Sequence, residues 1–346
     1  MYFGGKASCT DPSRTERAQD DDALYTFIKF MAENTIAFLF PGQGSQAVGM
    51  GKDLAEKYPA ARQTFEEADE ALGYKLSTVC FDGPEDQLRL TEITQPAILT
   101  VSIAALRVLE TRIPKPSYVA GHSLGEYSAH VAAGTFSFAD AVRTVRNRGK
   151  YMQEAVPVGV GAMAAILGMD FEKVTAVCRD AAQGEVCDPA NINSPEQIVI
   201  SGNTAAVERA AKLADERGAK RAKLLPVSAP FHCSLMKPAQ DRLQGDLDAL
   251  KLQKPVYPVA CNVEAELVTD DLRARDTLVR QVTGSVKWEQ CMRLLIGKGV
   301  QTFIEVGPGK VLCGLMRQID RSRTCFSVSD DATLTKTLDS IAQTPA

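Results

Sequence analysis

Ser123, framed as Gly121-His122-Ser123-Leu124-Gly125, is the residue in this chain best placed to act as a nucleophile. Chemistry at a serine needs the hydroxyl lifted clear of the backbone and a base within reach of its proton. Gly-x-Ser-x-Gly meets the first need when it joins a strand to a helix, because the tight turn pushes Oγ out above the sheet. Ser117 to Ala120 reads as the entering strand and Glu126 to Ala133 as the departing helix. The helix N-terminus offers N–H groups and the positive end of its dipole to a developing oxyanion. In a chain with 25 glycines the pentapeptide alone is weak, and its flanks give it weight.

Three histidines compete for the role of base. His122 adjoins the serine, where neighbouring side chains diverge, and is expected to stabilise the turn. His130 lies about two helical turns further on, too far along the axis, and reads as a packed helix histidine. His232 remains, in the loop Val227-Ser228-Ala229-Pro230-Phe231-His232-Cys233 between an apolar strand and a helix. No acid stands out to orient its ring, so a backbone carbonyl could do so, giving a Ser–His dyad.

The elements that must hold these groups alternate as in an α/β fold. Thr35 to Phe40 is a continuous apolar run, as in a buried parallel strand. Helical periodicity follows at 60–72, 96–109 and 137–154. From 158 to 226 the pattern becomes strand 162–167, helix 171–182, strands 189–193 and 197–201, helix 204–216 and strand 222–225. That β-α-β-β-α-β order is ferredoxin-like. The expected architecture is therefore a hydrolase-like large subdomain with a short parallel sheet, built from 31–157 and 227–346, and an inserted ferredoxin-like small subdomain at 158–226. Later elements are a helix at 235–250, strands near Val259 and Phe303, and helices at 288–297 and 311–319. Residues 1–30 are polar and aperiodic, with no signal-peptide pattern. They read as a disordered tail or a foreign extension, with Met31 as the natural start.

Composition narrows the function. The 346 residues are 45% hydrophobic and 24% charged, with a net charge of -4, as in a globular enzyme. With no dense basic block, nucleic acid is not expected as a ligand. No apolar run is expected to span a membrane. The nine cysteines are scattered without zinc-ligand spacing, and reduced, mostly core thiols in a cytoplasmic compartment are expected. The glycine-rich loops are not phosphate cradles. Gly51-Lys52 would need glycine where Gln46 stands, and Gly307-Pro308-Gly309-Lys310 would need one at Ile304. Gly159-Val160-Gly161 lacks the third glycine of a dinucleotide fingerprint. The loop at 41–46 follows the first strand at its carboxyl end, where its N–H groups could complete an oxyanion hole.

Seven strings taken together resemble the malonyl-CoA:acyl carrier protein transacylases of fatty acid synthesis, and the related acyltransferase domains of polyketide synthases. They are Phe40-Pro41-Gly42-Gln43-Gly44-Ser45-Gln46, Thr94-Gln95-Pro96-Ala97, Gly121-His122-Ser123-Leu124-Gly125-Glu126-Tyr127, Arg148-Gly149-Lys150-Tyr151-Met152-Gln153, Asn193-Ser194-Pro195, Phe231-His232 and Glu305-Val306-Gly307-Pro308-Gly309-Lys310. They occur in the family's order, and the resemblance covers nearly everything from Met31 onward. The resemblance implies that Ser123 is acylated and His232 is its base. It implies that Gln43 and Leu124 give the oxyanion N–H groups, and that a backbone carbonyl at Gln281 orients the histidine. Gln95, Phe231 and His122 would line the substrate site. Arg148 would pair with the malonate carboxylate. The residues alone give Arg148 a plainer reading, because its helix also carries Arg143, Arg146 and Lys150 and looks like a solvated basic face. Phe231 before the histidine matches malonyl-type relatives, although some malonyl enzymes carry serine there.

The implied partners are malonyl-CoA and acyl carrier protein, with no cofactor or metal, no nucleic acid or membrane, and a monomeric chain. Lys220, Arg221, Lys223 and Arg317 are candidate contacts for these anionic partners, or ordinary solvated charges. The chain looks free-standing. A polyketide-pathway acyltransferase, a serine thioesterase or esterase, and a non-catalytic carrier-docking module are the alternatives.

Overall fold

The computed structural model describes residues 35–343 apart from Ser228. The 1–30 segment and the Met31 start lie outside the described residues. In chain order the elements are β1 Thr35–Phe40, α1 Lys52–Lys57, α2 Pro59–Leu72, α3 Leu76–Asp82, α4 Glu85–Leu88, α5 Thr91–Leu109, β2 Tyr118–Gly121, α6 Gly125–Ala132, α7 Phe138–Glu154 and β3 Gly161–Leu167. Then come α8 Phe171–Ala182, β4 Cys187–Ser194, β5 Gln197–Asn203, α9 Thr204–Glu216, β6 Arg221–Leu224, α10 Lys237–Asp248, β7 Val259–Ala260, β8 Leu267–Val268 and α11 Asp271–Gln281. The last are α12 Trp288–Gly297, β9 Val300–Val306, α13 Val311–Ile319, β10 Thr324–Val328 and α14 Asp331–Gln343.

One sheet has six strands in the order β10-β9-β1-β2-β7-β8. Its pairs are parallel except β7 with β8. Its central strand β1 is apolar from Ile36 to Phe40 because both faces are covered. Ile36, Phe38 and Phe40 enter the larger core, while Ala37 and Leu39 enter the core on the opposite face with Trp288 and Phe303. The second sheet runs β4-β5-β3-β6 with antiparallel pairs. Helices α8 and α9 bury Val174, Val177, Val207 and Ala210 with its Ile166, Ile198 and Ile200. Strand β4 ties the two parts together: Ile192 N–H donates to Val286 O, and Val286 N–H to Ala190 O.

Side-chain caps start the helices that flank the site. Ser137 accepts from Asp140 N–H at α7, and Asp270 from Arg273 N–H at α11. Helix α5 begins five residues before Pro96, which sits inside it. The proline reads in sequence as a helix start, whereas a further turn precedes it. Helix α5 is long and apolar enough to cross a membrane by length and composition, but it is almost wholly buried in the fold, as a core helix is. One expectation needs correcting: the cysteines are not all reduced. Cys313 and Cys325 form a disulfide between α13 and β10. Strand β10, unforeseen in the sequence, brings their Cα atoms to 5.4 Å. The six free cysteines among the described residues are buried.

Candidate active site

The turn from β2 into α6 is packed too tightly for any side chain at its glycines. A Cβ on Gly121 would fall 1.9 Å from the Gly125 carbonyl, and one on Gly125 would fall 2.0 Å from Phe40 O. Ser123 between them has φ of 51°, a left-handed conformation that costs energy for a residue with a Cβ. Asn262, just after β7, holds the turn in that shape. Its Oδ1 accepts from Ser123 N–H at 2.7 Å, and its Nδ2 donates to Gly121 O at 2.8 Å.

His232 reaches the serine from the loop after β6. Its Nε2 lies 2.7 Å from Ser123 Oγ, and its Nδ1 lies 2.9 Å from the Gln281 backbone carbonyl at the end of α11. A carbonyl can only accept, so Nδ1 carries the proton and Nε2 faces the serine hydroxyl as the acceptor. His232 is buried, and its pKa is pushed down to about 3, first by desolvation and then by the charge of Arg148. The ring is therefore neutral at physiological pH.

Arg148 is not on a solvated face. Arg143 on the same helix is exposed and paired with Asp140, but Arg148 is 1% exposed. Its Nη1 donates to Gln95 Oε1 at 2.8 Å. Its Nη2 donates to Gln281 Oε1 at 2.9 Å and to Ser123 Oγ at 3.2 Å. It also stands over the Tyr127 ring. Each of these oxygens is neutral. Burial works against the charge, yet a guanidinium stays protonated in a protein. The site thus holds a buried cation beside a nucleophile with no anion in contact with it; the Glu126 carboxyl acts on its charge only from behind the Gln281 amide.

Around these groups lies a cavity of about 170 Å³, lined by Gln43, Gln95, His122, Ser123, Leu124, Arg148, Phe231 and His232 among others. Its wall is completed by β3, β4 and β5 of the smaller sheet, through Met163, Asn191, Asn193 and Val199. His122 is held at the turn by Asn193, its Nε2 lying 2.7 Å from Oδ1. His130 is buried away from the serine, against Thr135, as the sequence implied. Gln281 does not line the cavity; its backbone carbonyl accepts from His232 and its side-chain Oε1 from Arg148. Lys220 is paired with Glu196, and Arg317 faces a separate groove with Lys310 and Lys336. Among the described residues no group of His, Cys, Asp and Glu is arranged to hold a metal ion.

Sequence reasoning missed Asn262 and Glu126 as parts of this site. Asn262 follows a two-residue strand and carries no local signal. Glu126 lies in the serine motif itself, and its complete burial in a helix is the anomaly that marks it.

Residues 37–335 match the family model described as acyl transferase domain. The malonyl CoA-acyl carrier protein transacylase of Bacillus subtilis is 51% identical over 300 residues, 86% of this chain and 95% of the relative. That of Escherichia coli K12 is 48% identical, covering 88% of this chain and 98% of the relative. The chain belongs to the malonyl-CoA:acyl carrier protein transacylase family. The α/β fold is that of the family too. An acyl carrier protein S-malonyltransferase from Vibrio cholerae superposes with a TM-score of 0.86 at 49% identity, covering 88% of this chain and 99% of that one. A malonyl-transacylase solved in complex with its type II polyketide acyl carrier protein matches with a TM-score of 0.86 at 45% identity, covering 88% of this chain and 99% of the other.

Proposed function

We propose that this protein carries malonyl from CoA to the phosphopantetheine thiol of an acyl carrier protein, through an ester on Ser123, for fatty acid synthesis. The observation that carries this reading is the buried Arg148 guanidinium, hydrogen-bonded only to neutral oxygens and 3.2 Å from Ser123 Oγ. A buried cation costs several kcal/mol unless an anion joins it. A planar guanidinium suits a carboxylate, which it can grip through two parallel N–H donors. A malonyl group supplies that carboxylate, whereas neutral acyl esters do not.

In this reading His232 Nε2 takes the Ser123 proton as Oγ bonds to the thioester carbon. The tetrahedral oxyanion is held by the backbone N–H groups of Gln43 and Leu124. The C–S bond breaks, and the sulfur of CoA leaves with the proton from His232. The carrier thiol then gives its proton to His232 and attacks the ester; the C–O bond breaks, and Ser123 Oγ leaves with the proton from His232. Arg148 has a second effect in this scheme. Its charge depresses the basicity of His232, and the malonyl carboxylate offsets that charge once bound. The base is thereby strengthened when the correct acyl donor is present.

Gln95 and Phe231 bound the acyl pocket, and His122 braces the turn. We place the division between a large subdomain, 31–157 and 227–346, and a ferredoxin-like insertion at 158–226 in the same proposal. We read the enzyme as a cytoplasmic monomer that needs no cofactor. The test is intact mass and peptide mapping after mixing with malonyl-CoA alone. A malonyl adduct on Ser123 that holo carrier protein removes supports the reading. Steady release of CoA and free malonate without an adduct would point to hydrolysis instead.

A further inference from the structure

Glu126 is fully buried in the first turn of α6, where its carboxylate neither lines the cavity nor contacts a cation, Arg148 lying beyond the Gln281 amide. Its Oε2 accepts from Gln281 Nε2 at 2.7 Å and from Asn262 N–H at 3.0 Å. Its Oε1 has no partner. We propose, building on the malonyl-transfer reading, that Glu126 is a positioning residue for acyl-donor selection. By accepting from the Gln281 amide, it fixes which end of that amide meets Arg148.

The two ends of a glutamine amide are alike in shape and opposite in hydrogen-bonding role. Here Oε1 accepts from Arg148 Nη2, and Nε2 donates to Glu126 Oε2 and to Ser123 O at 3.0 Å. Turned over, the amide would set its N–H groups against the guanidinium, donor to donor. It would also set its oxygen against the Glu126 carboxylate. The guanidinium would lose one of its two amide anchors, leaving Gln95. Glu126 supplies the shortest bond that opposes this turn. Asn262 is less dependent on Glu126, because its O accepts from Lys287 N–H and its Nδ2 holds Gly121 O. Losing the carboxylate should therefore disturb the Arg148 arm more than the Ser123–His232 pair.

The test uses the full chain and two readouts at Ser123. One is acylation by malonyl-CoA, which needs Arg148. The other is labelling by a neutral fluorophosphonate, which needs only the serine and its base. Glu126→Leu should lower the malonylation rate by about tenfold or more and labelling by no more than about threefold. Glu126→Gln keeps an acceptor oxygen at the Oε2 position and should restore malonylation to within about threefold of the parent. If Glu126→Leu does not fold, Glu126→Asp, which withdraws the carboxylate by one methylene, should show the same selective loss. Equal loss in both readouts, unchanged malonylation in a folded Leu or Asp variant, a Gln variant as poor as Leu, or failure of both Leu and Asp to fold would overturn the proposal. A parent protein that labels but forms no malonyl adduct would instead sink the malonyl-transfer reading.

Discussion

Arg148 Nη2 and His232 Nε2 both converge on Ser123 Oγ, and each limits the other. The cation weakens the base, and a carboxylate must arrive to relieve it. Replacing Arg148 by alanine should therefore reduce acylation by malonyl-CoA by about 30- to 1000-fold, the ~2–4 kcal/mol of a truncated buried charge contact. Acylation by acetyl-CoA should be unchanged or improved, because His232 loses a nearby positive charge. Arg148→Lys should fall between, since an ammonium lacks the planar fork. Rapid-quench intact mass with the two donors reads this directly, and equal loss with both would remove Arg148 from carboxylate recognition. Part of this site was legible in the sequence. Ser123 was marked by its own neighbours, and His232 by elimination among three histidines. Arg148 was marked only by the family resemblance, because local charge does not reveal whether a helix turns a residue inward. Its amide anchors, Gln95 and Gln281, lie 53 and 133 residues away. Asn262 and Glu126 act on partners at similar separations, so although Glu126 lies within the serine motif, no local pattern records what either residue holds.

Among the elements, α13 is fixed at both ends. Glu305 from β9 accepts from Leu312 and Cys313 N–H at its start, and Ser194 of β4 donates to Gln318 near its end. The Cys313–Cys325 disulfide adds a covalent link from this helix to β10, the edge strand. The loop it closes is short, with a separation of 12 residues, and a link of that kind stabilises by roughly 2–4 kcal/mol. Reduction under native conditions should lower the urea midpoint accordingly, and Cys313→Ser with Cys325→Ser should remove the dependence on reductant. A non-reducing peptide map should show the linked pair; free thiols at both positions would refute it. The sequence made the central elements plain and these edge ones obscure. Strand β1 is buried and apolar from Ile36 to Phe40, and β9 carries the apolar Val300, Phe303, Ile304 and Val306. Strand β10, TCFSV, is half-exposed at an edge and has no such run. Helix α11, which carries Gln281, reads DLRARDTLVRQ; its few buried residues among five charges leave only a thin apolar stripe.

Across the whole molecule, buried titratable groups pull the acid stability in opposite directions. His130 and His232 are held neutral, with pKa values lowered from 6.5 to about 3 mainly by burial. His122 shifts the same way. Below pH 6.5 the unfolded chain takes up protons that the native histidines refuse. The stability these groups contribute is thus present above that pH and lost as pH falls. Glu126 and Glu305 do the reverse. Burial raises both from 4.5 to about 7, so the native state binds their protons first and gains stability as pH falls from about 7 to 4.5. Each proton of difference is worth ~1.4 kcal/mol per pH unit. Between pH 6.5 and 4.5 the two carboxyls offset two histidines, leaving a shallow slope from His122. Below 4.5 the carboxyls are protonated in both states and stop compensating. The histidine loss then runs unopposed toward pH 3, at ~3 kcal/mol per unit for the two. Lowered surface carboxylates such as Asp140 add to it. The urea midpoint should therefore change little from pH 7 to 5 and fall steeply below 4.5. Glu305→Gln, away from the cavity, removes one compensating carboxyl, so its midpoint should begin to fall near pH 6.5. A parent protein that already declines steeply from pH 6.5, or a Glu305→Gln profile parallel to the parent, would show that these carboxyls do not hold their protons in the native state.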